Sequence, residues 1–131
     1  MFDAKTRILV VDDMLIMRKQ IVRLCNEIGF MDVLEAKDGA QALQVLQNEK
    51  PLINLVISDY DMPNANGLDL FKRIHGDSRF GKIPFLLVAL EAERDAVATA
   101  VKAGVNGYIL KPFSAEDLKT RLEGIFEKIG I

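Results

Sequence analysis

The sequence predicts an α/β fold: a doubly wound, five-stranded parallel sheet with helices on both faces. Three observations carry this. Five short apolar runs alternate strictly with five stretches of helical periodicity. Most of these runs are unbroken rather than alternating, as strands buried on both faces are. Glycines, prolines and acids stand at the joints, so the connections are short.

Ile8-Leu9-Val10-Val11 is a β-branched apolar run closed by Asp12-Asp13, and is strand 1. Met17, Ile21, Leu24 and Ile28 then recur at helical spacing, with Arg18, Lys19, Arg23 and Glu27 between them. Gly29 is a good residue to stop that helix. Asp32-Val33-Leu34-Glu35-Ala36 alternates more, so strand 2 belongs nearer an edge. Asp38-Gly39 opens a helix carrying Ala42, Leu43 and Leu46, which ends before Pro51. Leu55-Val56-Ile57-Ser58-Asp59 is strand 3, and Pro63 cannot continue a ladder, so the chain has left the sheet by then. Asn64-Ala65-Asn66-Gly67 is loop; Leu68, Phe71 and Ile74 mark a short third helix. Residues 84–89 are strand 4. A helix over 91–103 has a weak stripe of Ala96, Val97, Ala100 and Val101 and closes at Gly104. Gly107-Tyr108-Ile109-Leu110 is strand 5, ended by Lys111-Pro112. Ser114-Ala115-Glu116-Asp117 has capping-box spacing, and the last helix carries Leu118, Leu122, Ile125 and Ile129 on one face.

Strict alternation with right-handed crossovers leaves few topologies. The expected one is flavodoxin-like, with strand order 2-1-3-4-5, which opens a crevice between the carboxyl ends of strands 1 and 3. A chain of 131 residues suits one domain, so residues 1–131 are read as a single domain with no output domain after Ile131. The net charge of −2 lacks the basic excess of a nucleic-acid or anionic-membrane surface. One cysteine, Cys25, rules out an internal disulfide and fits a reducing compartment. Residues 1–7 lack the apolar core of a signal peptide, and no apolar run reaches the roughly 20 residues of a membrane span. A cytoplasmic location is expected.

The chemistry lies at one sheet edge. Asp12 and Asp13 end strand 1, Asp59 ends strand 3 and Lys111 ends strand 5. Each has a plain explanation alone: a helix N-cap for the acid pair, a snorkelling surface residue for the lysine. Together they do not. Two carboxylates about 4 Å apart repel by about 4 kcal/mol at an effective dielectric near 20. Three acids with one lysine are under-neutralised, and all-oxygen ligation favours a hard divalent ion, Mg²⁺. Asp59 is then placed to act as a nucleophile toward a phosphoryl group, whose charge the cation and Lys111 offset.

Val11-Asp12-Asp13, Ile57-Ser58-Asp59 with Met62-Pro63 and Gly67, and Gly107-Tyr108-Ile109-Leu110-Lys111-Pro112-Phe113 together resemble the receiver domain of bacterial two-component response regulators, above all the single-domain chemotaxis regulators. The resemblance covers nearly the whole chain. It implies that Asp59 is phosphorylated by a histidine kinase. It implies that Asp12, Asp13 and Asp59 bind Mg²⁺ together with the backbone carbonyl of Asp61, that Lys111 contacts the phosphoryl group, and that the Lys111-Pro112 bond is cis. Tyr108 is a rotating switch residue by resemblance and a packing aromatic by composition. The output surface implied is helix 4, strand 5 and helix 5, with the flagellar motor switch as target. A phosphorelay intermediate or a phosphate sink is the alternative, and a phosphatase is a further candidate partner.

The sequence departs from this family at the end of strand 4, where Thr or Ser is usual and Ala89 stands here. Alanine has no donor for a phosphoryl oxygen, so either switching is weak or the neighbouring backbone takes over part of the role. Asp61 and Glu91 occupy the flanking positions that influence phosphoryl lifetime in the family. Asp59-Tyr60-Asp61 also has the acid-x-acid spacing of haloacid-dehalogenase-type phosphatases, though without a cap insertion to enclose a substrate. Flavin or nucleotide binding would need a Gly-rich loop after strand 1, where acids stand instead. His75 is read as a surface residue and Cys25 as packing, one position off the core stripe of its helix.

Overall fold

The computed structural model describes residues 5–49 and 52–129. Residues 1–4, Pro51 and the chain end at Ile131, on which the sequence reading also drew, lie outside them. The elements are β1 (Arg7–Val11), α1 (Leu15–Ile28), β2 (Asp32–Ala36), α2 (Gly39–Asn48), β3 (Leu55–Asp59), α3 (Gly67–His75), β4 (Phe85–Ala89), α4 (Arg94–Ala103), β5 (Gly107–Leu110) and α5 (Ala115–Ile129). All strand pairs are parallel, in the order β2-β1-β3-β4-β5, as the sequence predicts. The more alternating β2 is an edge strand.

The period of two along each strand sorts side chains into two cores. Ile8, Val10, Ile57, Leu86 and Val88 pack with Ile21 and Cys25 of α1 and with Leu118, Leu122, Ile125 and Phe126 of α5. Leu9, Val11, Val56, Leu87 and Ala89 pack with α2, α3 and α4 through Leu46, Phe71, Ile74, Val97 and Ala100. Sheet residues of β1, β3 and β4 are therefore buried on both faces. Cys25 is fully buried and belongs to the seam itself, while Met17 is only partly covered. Near the end of α5, Phe126 takes the core position and Ile129 is 37% exposed, because that helix buries the 118–122–125–126 face.

Helix ends carry local signals. Asp38 accepts from Gln41 N–H at 2.8 Å, and Asn66 with Asp69 forms a reciprocal capping box. Gly29 (φ 121°) closes α1 and Gly104 (φ 112°) closes α4, conformations a side chain resists. Ser114 Oγ accepts from Asp117 N–H at 3.1 Å while Asp117 Oδ2 accepts from Ser114 N–H at 3.0 Å. Ser114→Ala is expected to cost about 1 kcal/mol of stability, read as a lower urea midpoint with unchanged slope. A destabilised variant with an altered slope would point to something other than a lost cap.

Helix 4 differs from its sequence reading at the start. A single 3-10 turn, Glu91–Glu93, precedes α4, held by Leu90 N–H donating to Glu93 Oε1 at 2.7 Å and Glu93 N–H donating to Leu90 O at 2.9 Å. The tighter winding turns Glu93 inward and leaves Glu91 exposed.

Candidate functional site

Register brings the acids together. Val11 lies opposite Ser58, so the next residue, Asp12, comes level with Asp59. Asp59 lies opposite Val88, and Ala89 opposite Leu110, so Lys111 emerges two strands away at the same edge. Backbone bonds pin these exits: Asp12 N–H donates to Ala36 O, Tyr60 N–H to Val88 O and Lys111 N–H to Ala89 O. Beneath the loop after β3, Gly67 N–H donates to Tyr60 O at 2.7 Å, and a Cβ on Gly67 would stand 2.5 Å from Asp59 O. Only a glycine lets the loop lie that close to the strand carrying Asp59.

Asp12 is completely buried, Asp59 is 4% exposed and Asp13 is exposed. One oxygen from each of Asp12, Asp13 and Asp59 lies within 4.8 Å of the others. Asp12 Oδ1 accepts from Met14 N–H at 2.9 Å, but Met14 is itself the N-cap of α1 and neither acid caps that helix. The other Asp12 oxygen, Oδ2, is buried with no hydrogen-bond partner, and Asp59 Oδ1 has no aligned hydrogen bond either. Lys111 Nζ stands 2.9 Å from Asp59 Oδ1 as an ion pair. The open, buried Asp12 Oδ2 fits a hard divalent cation, and the donor set of the three acids is the all-oxygen one Mg²⁺ prefers.

The electrostatics agree. Burial pushes Asp59 up to about 6; Lys111 opposes this, and the charges of Asp12 and Glu93 add to it. Asp12 is also raised, first by burial, against the pull of the Met14 N–H and Lys111. At neutral pH Asp59 is still mostly ionised, as a nucleophile must be. A cavity of about 210 Å³ opens beside it, lined by Asp13, Met14, Asp59, Asp61, Met62, Leu90, Glu93 and Lys111.

The other residues singled out in the sequence fall as follows. Asp61 is exposed at the cavity wall. Ala89 is fully buried at the end of β4. The Lys111-Pro112 bond is cis. Tyr108 is half-buried, with the Arg121 guanidinium 5.1 Å from its ring centroid. Glu91 does not reach the cavity; its carboxylate pairs with Arg94. Glu93 takes the place at the wall, and sequence reasoning missed it. Counting residues past Ala89 cannot show which of two nearby glutamates a 3-10 turn will bring inward. His75 is exposed and stacks on Phe71.

A doubly wound parallel sheet with an acid cluster, an ion-paired aspartate and a cis Lys-Pro bond at its carboxyl edge defines a class of phosphoryl-accepting signalling domains. The response regulator receiver domain model matches residues 8–123, and the chain belongs to that family. It is similar to the chemotaxis protein CheY of Pseudomonas aeruginosa, 41% identical over 124 residues, covering 95% of this chain and 98% of the relative. It is likewise similar to the chemotaxis protein CheY-3 of Vibrio cholerae, 42% identical over 123 residues, covering 94% of this chain and 93% of the relative. Among solved structures, a receiver domain protein from Clostridium thermocellum superposes with a TM-score of 0.85 at 25% identity, covering 95% of this chain and 97% of that one. The chemotaxis response regulator CheY4 of Vibrio cholerae gives 0.80 at 27% identity, covering 92% and 98%. Receiver domains of this kind act as signalling switches rather than classical enzymes, and they interact with histidine kinases and target proteins. No helix among the described residues is long and apolar enough to cross a membrane.

Proposed function

We propose that Asp59 accepts a phosphoryl group from a histidine kinase and that the modified protein signals through a protein-binding surface in chemotaxis. The single observation that carries this is the buried Asp59 carboxylate, paired with Lys111 and facing Asp12 and Asp13 across one small cleft. An Asp59 oxygen attacks phosphorus, forming an O–P bond as the P–N bond to the donor imidazole breaks and the imidazole departs. Lys111 offsets negative charge gained at Asp59 and holds the carboxylate in place. Asp12, Asp13 and Asp59, with the Asp61 backbone carbonyl, are the groups that would hold Mg²⁺, which when bound supplies positive charge to the phosphoryl oxygens. Leu90, Met14 and Met62 wall the cleft with apolar surface and limit water.

The output surface we assign is α4, β5 and α5. A cavity of about 570 Å³ there is lined by Arg94, Tyr108, Arg121, Gly124 and Ile125 among others. Tyr108 and Phe113 are its aromatic lining, and the flagellar motor switch is the target the chemotaxis relatives favour, with a phosphatase as a second partner. One observation favours a second reading, a phosphorelay intermediate or phosphate sink. Ala89 brings no hydroxyl to the end of β4, so the link from cleft to output surface is weakened while phosphoryl acceptance is not.

The test is intact-mass spectrometry with Mg²⁺ and acetyl phosphate. A transient adduct of one phosphoryl group is expected for the wild type, lost in Asp59→Asn and on removal of Mg²⁺ with a chelator. An unlabelled wild type, or a labelled Asp59→Asn, defeats the reading.

A further inference from the structure

Glu93 lines the cleft without an ion-pair partner among the described residues. Its neighbour Arg94 is taken by Glu91. Its carboxylate accepts instead from Leu90 N–H at 2.7 Å. That N–H is the first beyond β4, and Leu90 lines the same cleft as Asp59 and Lys111. The neighbouring backbone donors are committed, Tyr60 N–H to Val88 O and Lys111 N–H to Ala89 O. Because Ala89 has no hydroxyl, Leu90 N–H is the donor this strand end can still offer to a phosphoryl oxygen, and Glu93 already occupies it.

Charge points the same way. Asp12, Asp13, Asp59, Asp61 and Glu93 make five acids in and behind the cleft. Lys111 and one divalent cation offset three of those charges. An incoming phosphodonor is itself an anion, so each surplus acid on the wall opposes its approach.

We propose that Glu93 is a latch on phosphoryl acceptance: its carboxylate holds Leu90 N–H and keeps negative charge at the cleft mouth until a phosphoryl group displaces it. This rests on the reading of Asp59 as acceptor. Glu93 touches no reacting atom; it acts through the 90–93 turn and is a positioning residue. Once Asp59 carries a phosphoryl group, added negative charge repels the Glu93 side chain, and the phosphoryl oxygen takes over the freed N–H. The turn that opens α4 then moves with the chemistry, which gives a chain with Ala89 a route from cleft to output surface.

Two variants separate the parts. Glu93→Gln keeps an acceptor for Leu90 N–H and removes the charge; Glu93→Ala removes both. With Mg²⁺ and acetyl phosphate, initial labelling rates are expected to rise about three- to tenfold in Glu93→Gln, the size of one screened charge acting on a dianion. Glu93→Ala is expected to be at least as fast. The gain is expected to shrink as salt is raised, which a packing effect would not do. In ¹⁵N-labelled protein the Leu90 amide proton is expected to shift when beryllofluoride binds the wild type, and to lie already shifted in metal-free Glu93→Ala. Equal labelling rates in all three proteins, or an unmoved Leu90 amide in Glu93→Ala, overturn the latch. A wild type that takes no phosphoryl group under these conditions overturns the acceptor reading instead.

Discussion

In metal-free buffer at neutral pH, Asp59→Asn is expected to be more stable than the wild type by about 2 kcal/mol. The cause is the buried carboxylate, whose pKa is raised to about 6 from 3.8 in the folded chain, chiefly by burial. A pKa raised by folding marks a group more comfortable protonated. Below the unfolded value both states hold the proton and the group has no effect. Between about pH 4 and pH 6 the unfolded chain releases its proton while the folded chain keeps it, so stability falls as pH rises. Above the folded value the loss is complete, at about 1.4 kcal/mol for each tenfold difference in proton affinity between the two states. Leaving Lys111 without its partner takes back part of the gain in the variant. Urea unfolding at a series of pH values with a chelator present checks this: the two midpoints are expected to converge near pH 4 and separate by neutral pH. Adding Mg²⁺ is expected to narrow the gap, since a ligand that binds only the folded wild type stabilises it. A gap that widens on acidification contradicts the whole electrostatic picture of the cleft.

Ala89→Thr is expected to tighten beryllofluoride binding in the presence of Mg²⁺ by about ten- to a hundredfold. A charge-assisted hydrogen bond contributes about 1.5–3 kcal/mol, as large as a typical allosteric coupling energy of about 1–3 kcal/mol. Ala89 is fully buried, so added bulk alone has consequences, and Ala89→Val is the control: similar volume, no donor. Titration followed by amide shifts is expected to show Thr tighter than both Ala and Val. Equal affinities for Thr and Val would mean that the backbone at Leu90 already supplies all the donor strength this site uses.

The fold was legible because its signals are local. Unbroken apolar runs named the strands buried on both faces, alternation marked β2 as an edge, and Asp38 and Ser114 announced helix starts that the structure bears out, whereas Gly67, read as loop, is the first residue of α3 behind its Asn66 cap. Cys25 packs in the core as read, but on the seam itself rather than one position off it, because α1 buries Ile21 and Cys25 most deeply. Glu93 escaped because its role depends on a 3-10 turn in place of an α-helical one, a choice made by a side chain capping its own turn. Ala89 and a neighbouring backbone donor in its stead were visible in the sequence, but that the Leu90 N–H is already engaged by Glu93 was not.

What the sequence by itself determined was the alternation of strands and helices, and with it the edge at which Asp12, Asp13, Asp59 and Lys111 must emerge. Periodicity and strand ends are properties of neighbours along the chain. What only the tertiary structure decided was how those groups share their partners: Asp12 with one oxygen bonded and one open, Lys111 given to Asp59, Arg94 drawn off by Glu91, and Glu93 left facing the cleft. Those allotments depend on distances of a few ångströms between residues far apart in the chain, or on the winding of a single turn, and no spacing in the sequence encodes either.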